Sequence, residues 1–102
     1  MRRLKRLPLV LLIGSAGFAA AQAPDQHLGR GLAASCSNCH GTNGVSQGAV
    51  PSLAGAAKAD FVTKMQEFKS GKRPGTIMPQ LAKGYSDEQI EAVAAWFATQ
   101  KP

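Results

Sequence analysis

Three side chains in this sequence can do chemistry together: Cys36, Cys39 and His40, packed into "CSNCHG" on a chain with no other cysteine. On a helix Cys36 and Cys39 stand at i and i+3, and His40 stands at i+4 from Cys36, so all three project toward one side. Two thiols and an imidazole at that spacing suit three chemistries. A redox dithiol would use the two cysteines, but that motif belongs in a thioredoxin-like βαβ setting, and the chain has no strand pattern. A closed zinc site needs four ligands, and His27 would have to complete an awkward set with adjacent Cys39 and His40. Covalent haem attachment uses all three as they stand. Thioethers from Cys36 and Cys39 tether the porphyrin, and His40 ligates the iron.

The rest of the chain agrees with an exported haem protein. Residues 1–21 carry Arg2, Arg3, Lys5 and Arg6, then an apolar run from Leu7, then Ala19-Ala20-Ala21. That is the three-part build of a secretory signal, with cleavage expected after Ala21. As a membrane anchor the run is short of the roughly 20 apolar residues a span requires, and Gly14 and Gly17 interrupt it. No membrane span is therefore expected once the signal is removed. Taking 21 residues from 102 leaves 81, forming a single domain over 22–102. A core that small usually needs a supplement. Two cysteines three apart close too short a loop to supply it as a disulfide, whereas a haem is a large apolar plate for short helices to pack on.

Charge excludes another class. The chain has 12 Lys plus Arg against 6 Asp plus Glu, but four of the bases lie in the leader, leaving eight against six. A nucleic-acid binder needs a concentrated basic footprint with groove-reading elements, so no nucleic-acid partner is expected. Lys64, Lys69, Lys72, Arg73 and Lys83 gather in the middle third and read first as a solvated face.

Three helices should position the site. The first runs over about 25–35, capped by Asp25, and leads straight into the Cys36 motif. Residues 41–55 are rich in Gly and small polar residues and read as loop, with a turn at Asn43-Gly44. The second helix covers "KADFVTKMQEFKS", with Phe61, Met65 and Phe68 at helical spacing and Gly71 as its stop. Residues 71–85 contain Pro74, Gly75, Pro79 and Gly84 and should be irregular. Ser86 and Gln89 then form a capping box for the last helix, whose apolar face is Ile90, Val93, Ala94 and Phe97. The fold class is all-α.

For the second axial position the candidates are Met65, Met78 and His27. Met65 shares the apolar face of the second helix and reads as core, and His27 reads as surface. Met78 stands in the proline-stiffened segment and is assigned as the ligand. His40 and Met78 together raise the reduction potential and close the iron to exogenous molecules. No small-molecule substrate is expected at the iron, and the protein is expected to pass electrons to or from a redox protein partner. The competing readings are a five-coordinate haem sensor or peroxidase, which needs Met78 off the iron, and a dithiol redox protein.

"CSNCHG", "VPSLAG", "FKSGKRPGTIMP" and "YSDEQIEAVAAWFA", in this order over about residues 28–99, resemble a class I c-type cytochrome. Within that class, "FKSGKRPGTIM" followed by "LAKGYSDEQIEAVAAWFA" is similar to the cytochrome subunit of flavocytochrome c sulfide dehydrogenase. A single C-x-x-C-H corresponds to a one-haem form. The resemblance implies a small fold of about three to five short helices round one covalent haem c. It implies that the Pro51 carbonyl accepts the axial histidine's ring proton, and that Leu53, Ile77, Phe61, Phe68 and Trp96 are candidate pocket walls. It implies a close crossing of first and last helices at Gly29 and Leu32. It implies a periplasmic electron carrier, not itself an enzyme, serving a flavoprotein that oxidises sulfide. Lys69, Lys72, Arg73 and Lys83 could steer an acidic partner. A free-standing shuttle of a respiratory chain is the alternative.

Overall fold

The computed structural model describes residues 25–102, together with the isolated positions Gly14 and Gly17. The signal sequence and its cleavage site lie outside the described residues. Five α-helices carry the described chain: α1 Gln26–Ala33, α2 Ser37–His40, α3 Lys58–Ser70, α4 Met78–Ala82 and α5 Asp87–Ala98. Short 3₁₀ turns over Ala34–Cys36 and Thr42–Gly44 complete the helical content. No strand occurs among the described residues, in keeping with the all-α expectation, and no helix there is long and apolar enough to cross a membrane.

The ends of these helices follow from local chemistry. The Asp25 carboxylate accepts the backbone N–H of His27, so α1 starts where its cap predicts. The α3 helix covers the whole expected stretch and stops at Gly71, which adopts the left-handed conformation (φ 81°) that glycine takes without strain. Both bonds of the Ser86/Gln89 capping box are made at the start of α5.

The segment 71–85 differs from its expected irregularity, because α4 forms inside it. Pro79 does not prevent this. It occupies the first turn, where a backbone N–H has no intrahelical acceptor in any case.

The core is small and rich in alanine: Ala33, Ala54, Phe61, Ala82, Ile90, Ala92, Val93, Ala94 and Phe97 are buried. Among the described residues only Phe97 and Ile90 bury large side chains completely, each contributing about 1.5–3 kcal/mol. Phe97 is the hub. Phe61 of α3 lies 5.7 Å away between ring centroids, and Trp96 meets it edge-on at 5.1 Å. The α1 and α5 helices cross closely enough that a side chain on Gly29 would run into the Ala92 carbonyl and the Trp96 Cβ. That crossing explains why a helix tolerates glycine there, at about 1 kcal/mol against alanine.

Polar ties join α3 to α5. Lys58 pairs with Glu91 at 2.9 Å. Asp87 accepts from the Gln66 amide at 2.8 Å and from Lys69 at 3.3 Å. The Gln66 bond and the Lys69 ammonium hold the Asp87 carboxyl below the usual carboxylate range. A lowered native pKa means the unfolded chain binds the proton more readily, so this contribution is complete above the unfolded value of about 4 and fades as pH falls through the native one. Asp87→Asn is accordingly expected to be slightly less stable than wild type at pH 7. In denaturant titrations the two stability curves should converge as pH drops below about 4.

Candidate functional site

Helical backbone continues past the expected end of the first helix. Ala33, Ala34, Cys36 and Ser37 are all right-handed, so α1, the 3₁₀ turn and α2 form one nearly unbroken run carrying Cys36, Cys39 and His40. Gly41 ends it with φ 89°. Cys36 is half-buried against the Phe97 core, Cys39 is exposed, and both are free thiols.

The loop after Gly41 returns a carbonyl to His40. Asn43 and Gly44 both have positive φ, giving the turn expected at that dipeptide. The Gly44 carbonyl then accepts from the N–H groups of Leu53 (2.8 Å) and Ala54 (3.1 Å), closing residues 45–52 into a loop. Inside it the Ser46 N–H donates to the Ser52 hydroxyl at 2.9 Å. Outside it, the Gly55 N–H donates to the Phe97 carbonyl at 2.9 Å, anchoring the loop on the core. Gly44 packs too tightly for any side chain, since a Cβ would come within 2.8 Å of the Phe97 ring.

This closure leaves the Pro51 carbonyl 2.6 Å from His40 Nδ1. A carbonyl only accepts, so Nδ1 carries the proton and donates it. The tautomer follows. Nε2, across the ring, keeps its lone pair and is the nitrogen able to ligate a metal. The contact is the one that the resemblance implies between these two residues.

Burial pushes the Cys36 thiol up from its ordinary value, against smaller opposing effects from the Ser35 hydrogen bond and the backbone. A thiol-disulfide centre depends on a thiolate favoured by its surroundings, so this shift counts against the dithiol reading. Among the described residues no three His, Cys, Asp or Glu side chains group as a metal site. A four-ligand zinc site has no protein partners there to complete it.

The other candidates fall into distinct places. His27 is exposed at the start of α1, and Met65 is half-buried against the core, in keeping with their surface and core readings. Met78 is half-buried and opens α4, so it sits on a helix start and not in an irregular loop. Its segment is braced from α3: Phe68 Cε1 and Pro79 Cδ both approach to 3.2 Å of where a Gly75 Cβ would stand. Of the candidate walls, Phe61 lies in the core, while Leu53 and Trp96 pack on its edge. Ile77 is 55% exposed, as are Val50 and Leu81 to a lesser degree. Exposed aliphatic chains beside an alanine-rich core fit a protein that packs on a flat apolar group, and two thiols with an oriented imidazole fit covalent haem as that group.

The basic cluster is less free than its sequence implies. Arg73 pairs with Glu67 at 2.8 Å and lies over the Phe68 ring, 5.8 Å from its centroid. Lys69 donates to the Tyr85 carbonyl at 2.6 Å and pairs with Asp87. Both cations brace the fold, and of the four flanking Met78 only Lys72 and Lys83 make no ion pair among the described residues. Sequence reasoning missed Ser35 and Tyr85, whose hydroxyls lie 3.0 Å apart. No spacing rule connects residues 50 apart.

Known proteins share this pattern. A protein-family model described as cytochrome c oxidase, cbb3-type, subunit III matches residues 23–97. The cytochrome subunit of sulfide dehydrogenase from Chlorobaculum tepidum is 37% identical over 98 residues, which cover 88% of each chain. Cytochrome c4 from Azotobacter vinelandii is 36% identical over 92% of this chain and 49% of its own length, so this chain spans about half of that relative. The solved structure of thiosulfate dehydrogenase TsdBA from Marichromatium purpuratum superposes with a TM-score of 0.72 at 32% identity, covering 80% of this chain and 21% of that one.

Proposed function

Because this chain belongs to the c-type cytochrome family, we propose that it is a one-haem electron carrier acting in the periplasm, with residues 1–21 as its removed signal and 22–102 as a single cytochrome domain. The observation that carries the reading is the His40–Pro51 hydrogen bond beside two free thiols. It orients an imidazole as a ligand and leaves the cysteines for covalent attachment.

Each residue then has a task. The Cys36 and Cys39 thiols would hold the haem through one thioether bond each. His40 would offer Nε2 to the iron, with the Pro51 carbonyl fixing the plane of its ring and strengthening it as a donor. Met78 would offer its thioether from the start of α4. Leu53 contributes apolar wall and excludes water. Haem bound in this way supplies one-electron transfer through its ferrous and ferric states.

Similarity to the sulfide dehydrogenase subunit supports a flavoprotein as the electron donor. Sulfide oxidation itself would then take place on that partner, leaving this chain the acceptor. A free-standing shuttle is the second reading, supported by the cytochrome c4 likeness. Lys72 and Lys83 would steer an acidic partner in either case, giving association that weakens with salt.

Expression in a host with cytochrome maturation machinery tests the central proposal. The expected product is red, and its intact mass equals residues 22–102 plus one haem, stable to acid-acetone extraction. A colourless product of bare polypeptide mass overturns it. Co-purification of a flavoprotein from periplasm, with sulfide reducing the cytochrome only when that flavoprotein is present, decides between the two partners.

A further inference from the structure

We propose that Tyr85 is a positioning residue that couples the haem-attachment segment to the helix carrying Met78, and so sets how firmly Met78 holds the iron. The inference rests on the proposed ligation by Met78.

Tyr85 lies between α4 and α5 and is tied to three elements at once. Its N–H donates to the carbonyl of Ala82, the fully buried last residue of α4, at 3.2 Å. Its carbonyl accepts from Lys69 of α3 at 2.6 Å. Its hydroxyl meets Ser35 Oγ at 3.0 Å, on the residue before Cys36. Either hydroxyl can donate in that last contact, and Ser35 Oγ also lies 3.1 Å from the Leu32 carbonyl.

The bridge matters because α4 packs mainly on α3 and not on the helices that carry Cys36, Cys39 and His40. It is five residues long, and its N-cap, Ile77, makes no side-chain capping bond. On its N-terminal side, Gly75 lies close to the Phe68 ring of α3 and to Pro79. Its C-terminal end is held by Tyr85. The Lys69 bond ties that end to α3, whereas the Tyr85 hydroxyl ties it to the segment that carries Cys36, Cys39 and His40. Among these anchors it alone spans the two sides of the proposed iron site directly. Loosening it lets Met78 leave more readily without disturbing either thioether or His40.

Imidazole titration of the ferric holoprotein reads this, because imidazole binds the iron only as Met78 departs. Tyr85→Phe keeps the ring and removes the hydroxyl. It is expected to tighten apparent imidazole binding by roughly two- to tenfold, the range one hydrogen bond supports. Ser35→Ala should give a similar gain, and the double variant little more than either alone, as expected of two residues sharing one bond. Met78→Ala is the control and should tighten binding far more. Unchanged imidazole affinity in Tyr85→Phe beside a responsive control overturns the inference and leaves Met78 as ligand, even if the denaturation midpoint falls. Additive gains in the double variant overturn the bridge. A control that does not respond overturns the Met78 ligation, and this inference with it.

Discussion

Met78→Ala is expected to lower the midpoint potential by roughly a few hundred millivolts, within the span of about 0.8 V over which axial ligands tune haem, and to abolish the weak near-infrared sulfur-to-iron band of the ferric protein. A thioether is a soft ligand that favours the ferrous state, and removing it leaves water or an added ligand in its place. The fold gives Met78 few competitors. Met65 is packed on the Phe97 core, and His27 is exposed at the far end of α1. Redox titration with spectra recorded at each potential measures both effects. If the band and the potential stay as in wild type, another thioether holds the iron, and Met65 is the remaining candidate. A wild-type protein that lacks the band altogether restores the five-coordinate sensor or peroxidase reading.

The helices that stand on local signals were legible, and the contacts that depend on long closures were not. The α3 helix has aromatic spacing and a glycine stop, and α5 has a capping box; both occur at their expected positions. The continuation of α1 into α2 carries no comparable signal. Nothing in "AASCSNCH" requires a break, and only Gly41 with its positive φ ends the run. The α4 helix was hidden because Pro79 reads as a breaker until its place in the first turn is known. The chemistry of Cys36, Cys39 and His40 is local and was readable from spacing. By contrast, the Pro51 partner followed from family resemblance, since a loop of Gly and small polar residues does not disclose which carbonyl it returns. The charge cluster misled for a related reason. Composition counts Lys69 and Arg73 as surface charge, but Asp87, Glu67 and the Phe68 face engage them inside the fold.

Gly41→Ala should be the most damaging glycine-to-alanine change among the described residues. Gly41 has φ 89° and ψ 161°, a region open to glycine and strained for any L side chain. The added Cβ would collide with the Val45 carbonyl and the Ser46 backbone, and backbone cannot swing aside as a flexible side chain can. Backbone strain of this kind costs roughly 1–3 kcal/mol and overpacking about 1–3 kcal/mol. A loss of about 3 kcal/mol or more is therefore expected, a large part of the stability of a domain this size. The damage falls on function as well, because Gly41 starts the loop that returns Pro51 to His40. Relief of the collision would move that loop, lengthening the Nδ1 hydrogen bond and loosening the imidazole. Two measurements should therefore move together: a lower denaturant midpoint, and a higher midpoint potential, because a weaker histidine donor stabilises the ferric iron less. Gly31→Ala provides the contrast, since no atom lies within 4 Å of its Cβ, and it should gain slightly in helix stability with the potential unchanged.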